Sequence, residues 1–433
     1  MKTLICIPCL LTGGTEIQTL NTVHALVQGG HQVTVACYFE HMPEMVARYR
    51  KAGAEVLLFS PEGIRVGGYK SILFLYKHLR RAIRTVRPDV THVQYMAPGA
   101  MVVLLLWLMG VKNIIATAHT AADIYKDLRL IHFLQRHCLR AWTCIAERAE
   151  RSFFGTSQLY TPDTVLGKRN HFTIYNSLPA KLGWSCNENE DENENGSVIT
   201  KTKTKTKTTS EVSALNLTQK SQNSQNNENG QQPTTESSQS QSSSSFSSSS
   251  QKEPSAPFVL GVVSRLEPIK GMDLVVPALV EVLKQHPDTQ LLVVGDGSLR
   301  ASMEQQAVEL GCADHIRWVG RQPQEELPQW YSQMDVVLMP SRSEGFGLTA
   351  IEAMASGCVM VASDTGGLPE VVRDGVCGLL HRTEDIADMA NKITTLISDQ
   401  GLYDRLRAQS LREVEKYSFD RYAELIHNLY GKL

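Results

Sequence analysis

VVLMPSRSEGFGLTAIEAM, residues 336–354, sets the reading of this chain. Four apolar residues open the stretch, a loop of small and charged residues follows, and an apolar helical segment closes it. A buried strand feeding a loop and then a helix is the repeating unit of a parallel α/β sheet. Ligands in such sheets sit beyond the carboxyl ends of the strands, so the chemistry is sought in loops such as 340–347. Glu344 lies in this loop, and Glu352 follows eight residues later, about two helical turns on. Glu352 falls inside the otherwise apolar helix 348–355, where an unpaired carboxylate is costly to bury; ribose hydroxyls would satisfy it. Gly345 and Gly347 leave the loop backbone open to a sugar, and the amides of 346–349 face a phosphate.

Outward from this stretch the same unit recurs. Strands are predicted at 258–263, 290–294, 316–319, 359–362 and 378–380, and the tail from about 383 is helical. Earlier in the chain, strands are predicted at 4–8, 32–38, 55–59, 90–94 and 114–118, with helices near 15–29, 42–53, 69–86 and 98–110 between them. Around 142–157 the next strand is either 143–146 or 152–156. The stretch 186–254, with NENEDENENG, KTKTKTKTT and QSQSSSSFSSSS, is nearly devoid of large apolar residues. Such composition buries too little surface to offset chain entropy, so disorder is expected. The Lys-Thr repeat reads as solvated linker, with contact to a polyanion as the other reading. The pattern predicts an α/β protein with a Rossmann-like domain over 1–180, a low-complexity linker insert over 181–256, a second Rossmann-like domain over 257–415, and a final helix, 416–433, placed to pack back on the first domain. The two domains are expected to face each other across a cleft.

Bulk composition narrows the function. The 433 residues carry 43 Lys and Arg against 45 Asp and Glu, a net charge of −2, which gives no support to nucleic-acid binding through overall charge. Nine cysteines are scattered. Cys6 and Cys9 form a C-x-x-C with no second pair, whereas a structural zinc takes about four ligands, so no metal site is expected. Unpaired cysteines fit a reducing compartment. The N-terminal MKTLICIPCLLTGGTE lacks a small-x-small cleavage site and reads as a buried first strand rather than a signal peptide. The longest apolar run, 101–111, is shorter than the ~20 residues that span a bilayer. A cytoplasmic protein is expected, at most peripheral at the inner face of a membrane.

Five further loops follow strands. Gly13 and Gly14 precede a helix near Thr15 and read either as an anion site or as an ordinary turn. No G-x-G-x-x-G is present there, so a dinucleotide fingerprint is not supported. Ser264-Arg265-Leu266-Glu267-Pro268-Ile269-Lys270-Gly271 puts Arg265 and Lys270 ahead of an apolar helix, an arrangement suited to a diphosphate. Gly295 and Gly297 leave room for a flat ring or a ribose, or form a tight turn. The small-residue turn 363–370, Ser-Asp-Thr-Gly-Gly-Leu-Pro-Glu, lines the same cleft edge. His119, after the strand 114–118, points into the cleft; a lone His is otherwise more often structural.

Together these residues resemble the retaining glycosyltransferases of family 4, which have the two-domain GT-B fold. The carriers are Ser264-Arg265 through Lys270-Gly271, Gly295-Asp296-Gly297, the E-x7-E pair Glu344 and Glu352, and Gly366-Gly367-Leu368-Pro369-Glu370. Over 1–180 the resemblance rests on Gly13-Gly14, His119 and Tyr175-Asn176-Ser177. It implies a nucleoside diphosphate sugar donor bound by the second domain, with the first on the acceptor side. It further implies that Arg265 and Lys270 hold the diphosphate, Glu352 the ribose and Glu344 the transferred sugar. The amides of Gly345, Phe346, Gly347 and Leu348 bind near that sugar, beside Gly295 and Gly297. His119 stands by the reacting face, and Gly13 and Gly14 approach when the cleft closes. No cofactor and no divalent metal are implied. A hexose-type sugar would pass, with retention, to a hydroxyl of a glycan or lipid-linked acceptor in cell-surface polysaccharide or glycoconjugate synthesis. Asn176-Ser177 departs from the family's Asn-Gly, and the 186–254 insert is unusual. The basic amphipathic stretches 69–81 and 126–140 read as solvated faces or as surfaces for anionic lipid. A sugar-nucleotide epimerase on the same fold and a non-catalytic sugar-nucleotide-binding subunit are the alternatives.

Overall fold

The computed structural model describes residues 1–122, 125, 127–167, 169–180 and 257–433. The predicted disorder of 186–254, the Lys-Thr repeat and the linker domain 181–256 lie outside the described residues.

The first half forms seven strands: β1 (Lys2–Ile7), β2 (Gln32–Cys37), β3 (Glu55–Leu58), β4 (Val90–Gln94), β5 (Ile114–Ala118), β6 (Ala141–Cys144) and β7 (His171–Thr173). They pair in parallel in the order β3-β2-β1-β4-β5-β6-β7. In β1 every residue after Lys2 is buried, as a strand covered by helices on both faces requires. The second half repeats the plan with β8 (Val259–Val263), β9 (Gln290–Val294), β10 (Ile316–Gly320), β11 (Val336–Met339), β12 (Val359–Ser363) and β13 (Gly378–His381). Their order is β10-β9-β8-β11-β12-β13, again parallel. In each sheet the strand order reverses once, between β1 and β4 and between β8 and β11. Those two switch points are where doubly wound sheets open a crevice.

The structure settles one ambiguity and alters three expectations. The strand near residue 142 is β6, Ala141–Cys144, and the competing stretch belongs to the helix Glu147–Phe154. That helix carries Glu147 and Glu150 in its first turn and buries Phe153, so the apolar pair at its end faces the core rather than a strand neighbour. After β8, no long helix begins at Gly271. Two short 3-10 turns, Pro268–Lys270 and Met272–Leu274, come before the helix Val275–Leu283. The helix expected over 98–110 is Met96–Leu108, and that over 126–140 is Arg129–His137. Among the described residues no helix is long and apolar enough to cross a membrane.

The last helix, Phe419–Gly431, opens with the Ser418 side chain accepting from the Arg421 amide. It packs on the first half: Ile426, Leu429 and Tyr430 share a core with Ile5, Val23, Leu26 and Val33. Each such buried aliphatic side chain contributes about 1.5–3 kcal/mol relative to exposure. Polar ties sit among them, Tyr422 Oη to Thr22 Oγ1 at 2.7 Å and Tyr160 Oη donating to Asn428 Oδ1 at 2.8 Å.

Candidate active site

The two switch points put four loops side by side. Gly13 and Gly14 follow β1, Tyr95 follows β4, residues 264–271 follow β8 and 340–347 follow β11. Gly14 is the first residue of the helix Gly14–Gln28, and Leu348 is the first of the helix Leu348–Ala355. A Cβ built on Gly14 would lie 3.3 Å from Leu348 Cδ1, so the two helix N-termini converge from opposite halves. Both present unpaired amides and the positive end of a helix dipole. That convergence favours an anion.

The glycines expected to leave space for a ligand are packed against protein on the side where a side chain would project. A Cβ on Gly295 would stand 1.8 Å from the Ser264 carbonyl oxygen, and one on Gly297 would stand 2.4 Å from that of Leu266. On the side where a side chain would project, these glycines seat the Arg265 loop. Gly366 and Gly367 seat the next loop in the same way, against the carbonyl oxygens of Glu344 and Gly345 at 1.8 and 2.5 Å. Gly345, expected to face a sugar, abuts the His119 carbonyl oxygen across the cleft, where a Cβ would come within 2.6 Å. Gly347 caps its helix at φ 106°, a backbone region that side chains avoid, and Leu368 covers it. The Phe346 ring is buried between Tyr175 and Tyr417, at centroid distances of 5.8 and 5.5 Å, which leaves only its backbone for a ligand.

The charged residues come together differently from the expectation of separate roles. Lys270 Nζ and Glu344 Oε2 are 2.6 Å apart, with side chains about 20% and 13% exposed. The cation meant for a diphosphate and the carboxylate meant for a sugar thus hold each other. Arg265 is exposed and faces the first half. Burial pushes the Glu16 carboxyl upward, and the Arg265 charge pulls it part of the way back. Glu352 is buried, as expected. Its carboxylate oxygens accept from Gln324 Nε2 at 3.4 Å and from Tyr331 Oη at 3.2 Å, so protein groups satisfy it before any ribose. Burial lifts this carboxyl to about 7 against the two hydrogen bonds.

His119 is buried, with Nε2 2.8 Å from Gln94 Oε1. Its Nε2 edge is thus held by the first half. Burial, helped by the neighbouring His92, lowers it to about 3, so the imidazole is neutral. Tyr95, whose ring centroid is 5.4 Å from that of His119, takes a left-handed backbone at φ 59°. Strain of that kind clusters at ligand sites. Among the described residues no three His, Cys, Asp or Glu side chains are grouped to hold a metal ion. Cys9 donates to Glu16 at 3.2 Å, and burial raises the Cys6 and Cys9 thiols to about 12.

Comparison with known proteins gives this arrangement its family. The model "Glycosyl transferases group 1" matches residues 244–412, and "Glycosyltransferase Family 4" matches 12–155. The chain belongs to glycosyltransferase family 4. Among curated relatives, a D-inositol 3-phosphate glycosyltransferase of Nocardia farcinica is 41% identical over 163 residues, 36% of this chain and 36% of that protein. One from Corynebacterium jeikeium is 36% identical over 193 residues, 42% of this chain and 46% of that protein. The chain spans less than half the length of these curated relatives that it matches. The fold is GT-B. HepE of Anabaena, solved in complex with UDP, superposes over 100% of both chains with a TM-score of 0.69 at 17% identity. WaaG, a glycosyltransferase involved in lipopolysaccharide biosynthesis, does so over 98% of this chain and 99% of its own at 0.60 and 12%.

In this family 4 chain the two halves also touch at the rim of the cleft. Arg321 Nη2 donates to Thr12 Oγ1 at 3.0 Å, and Arg48 Nη2 donates to Gln324 Oε1 at 2.8 Å. Arg48 therefore reaches Glu352 through one amide. Glu370, expected to line the cleft edge, reaches the other half: its carboxylate accepts from the Glu147 and Arg148 amides at 2.8 and 2.6 Å. Ser177, where the family has Gly, is buried. Its amide donates to Gln18 Oε1 at 3.1 Å, and its hydroxyl accepts from Asn21 Nδ2 at 3.1 Å. Sequence reading missed Tyr95, Gln94, Gln324, Tyr331 and Arg48. Only Gln94 and His92 left a signal, as polar residues two apart on one face of a fully buried strand.

Proposed function

We propose that this protein is a retaining, metal-independent glycosyltransferase that moves a hexose-type sugar from a nucleoside diphosphate sugar to a hydroxyl of a glycan or lipid-linked acceptor. The observation that carries this reading is the meeting of two helix N-termini, at Gly14 and Leu348, beside Arg265 and the Lys270–Glu344 pair. This is a site for a leaving diphosphate with a carboxylate at hand for sugar hydroxyls. Solved neighbours that hold UDP and UDP-glucose in the same fold support the donor class.

In this reading the diphosphate displaces Glu344 from Lys270, and Lys270, Arg265 and the two helix ends meet its charge as the glycosidic bond breaks. Freed Glu344 then accepts from the sugar, Glu352 from the ribose, and the acceptor hydroxyl enters on the face the diphosphate leaves. Its proton passes to the departing phosphate oxygen. The amides of 345–348, with Gly13 and Gly14, close on the donor and limit hydrolysis by water.

The protein works in the cytoplasm at the inner face of a membrane. Support comes from the helix Gly68–Val86, which exposes Tyr69, Leu73 and Tyr76 among Lys70, Lys77, Arg80, Arg81 and Arg84. Such a face suits anionic lipid.

The test is nucleoside diphosphate release from a panel of UDP-, GDP- and ADP-sugars, with and without EDTA, for the protein and its Glu344→Ala and Lys270→Ala variants. The reading expects release from one donor, unchanged by EDTA and reduced at least about a hundredfold in both variants. Conversion of a donor to its epimer without nucleotide release would replace it with an epimerase.

A further inference from the structure

A line of buried polar side chains runs from the last helix of the chain to His119. Tyr430 Oη lies 2.8 Å from His92 Nδ1. His92 Nε2 lies 3.3 Å from Gln94 Nε2 and 2.6 Å from Thr117 Oγ1, which is 2.7 Å from Thr143 Oγ1. Gln94 Oε1 lies 2.8 Å from His119 Nε2. His92, Gln94, His119 and Tyr430 are each at most 6% exposed. One atom in this line is left over: His119 Nδ1 is buried and has no hydrogen-bond partner among the described residues.

Burial holds both imidazoles neutral, so each ring carries one proton. Gln94 has one accepting oxygen and one donating nitrogen. With its nitrogen on His92 and its oxygen on His119, the only consistent assignment puts the His119 proton on Nε2. In the same arrangement His92 Nε2 accepts chiefly from the Thr117 hydroxyl at 2.6 Å, with the Gln94 amide beside it at 3.3 Å, and His92 Nδ1–H donates to the Tyr430 hydroxyl. We propose that Gln94 is a positioning residue: held by His92, and through it by Tyr430, it locks His119 as the Nε2–H tautomer and keeps Nδ1 as an acceptor for a hydroxyl of the donor sugar. The sugar in that statement rests on the glycosyltransferase reading; the tautomer does not. A buried acceptor without a partner costs stability, and a bound hydroxyl would repair that deficit. The His119 backbone carbonyl abuts Gly345 in the loop that carries Glu344, which sets this residue, by its main chain, beside the loop where the sugar would be read.

The tautomer is read directly from long-range proton–nitrogen correlation spectra of the full-length, ligand-free, histidine-labelled protein, with His119 assigned by its loss in His119→Gln. The proposal expects a protonated Nε2 and an unprotonated Nδ1 in the wild type. A mixture is expected in Gln94→Met, and restoration of the Nε2–H form in Gln94→Glu, whose buried neutral carboxyl can accept and donate as the amide does. Tyr430→Phe, which removes one oxygen, should give a smaller shift toward the mixture. A wild-type Nδ1–H form, or a Gln94→Met spectrum like the wild type, overturns the proposal; an unaltered His119 in Tyr430→Phe removes Tyr430 from it. Should Gln94→Met fail to fold, the wild-type and Gln94→Glu spectra decide the matter. With the donor found in the panel, Gln94→Met should lower kcat about tenfold, the worth of one neutral hydrogen bond, with KM for the donor within about twofold. An unchanged kcat overturns the positioning role, while failure of every donor counts against the transferase reading and leaves the spectrum to stand.

Discussion

Glu352 shows how one buried acid can govern both stability and binding. Its folded value of about 7 stands above the ordinary 4.5, so the folded protein holds this proton more tightly than the unfolded chain does. Stability from this group is therefore fully present below about pH 4.5 and falls as pH rises toward 7. The loss amounts to at most about 3 kcal/mol. Urea melts at pH 5 and pH 8 should show the difference, and Glu352→Gln should flatten it; an equal slope in the variant would remove Glu352 as its source. The Lys270–Glu344 pair makes a second prediction at this scale. Either alanine variant leaves its former partner largely buried and unpaired, so ligand-free stability, read from a urea melt, should fall by about 3 kcal/mol; an unchanged melt would mean that the freed charge reaches water. That these two residues matter was legible in the sequence, since both follow strands in a parallel sheet. That they bind each other was not, because 74 positions separate them and no local pattern encodes such a contact.

Among the loops and elements, the glycines separate by what surrounds them. Gly271 and Gly375 have similar backbones, φ 65° and 69°, but a Cβ on Gly271 would sit 1.9 Å from the Pro340 carbonyl oxygen, whereas one on Gly375 meets nothing within 4 Å. Gly375→Ala should cost about 1 kcal/mol from its left-handed backbone alone. Gly271→Ala should cost about 2 kcal/mol or more, because the Lys270 turn must also move away from β11. Thermal melts of the pair check this, and equal losses would mean that the close approach is relieved cheaply. All the strands but one were read within about two residues, since each is a short apolar run between polar loops; β7, only three residues long, was not read. The start of the helix after Gly271 was misread because its apolar residues begin before its α-helical hydrogen bonds do: Met272 and Leu274 are buried in a 3-10 turn. In the glycine-rich loops the sequence records the missing side chain but not the carbonyl packed against its place.

At the scale of the whole molecule, the last helix commits the end of the chain to the first half. Leu429 is fully buried there, so Leu429→Ala should destabilise the first half by about 2–5 kcal/mol. A fluorescence melt that follows the buried Trp142 of β6 would register it, and a change confined to the second sheet would contradict the packing. The return of this helix was among the expectations for the end of the chain, while its polar ties to residues some 400 positions earlier were not. The Glu370 cap has a further consequence. Its carboxylate supplies the acceptors for the first amides of the helix Glu147–Phe154, which belongs to the opposite half. Whenever the halves part, those two amides lose their acceptor to water, and when the halves meet they regain it. The chain thus carries its own gauge of opening: the deuterium uptake of Glu147 and Arg148, set against the same amides in Glu370→Ala, counts how often the cleft breathes.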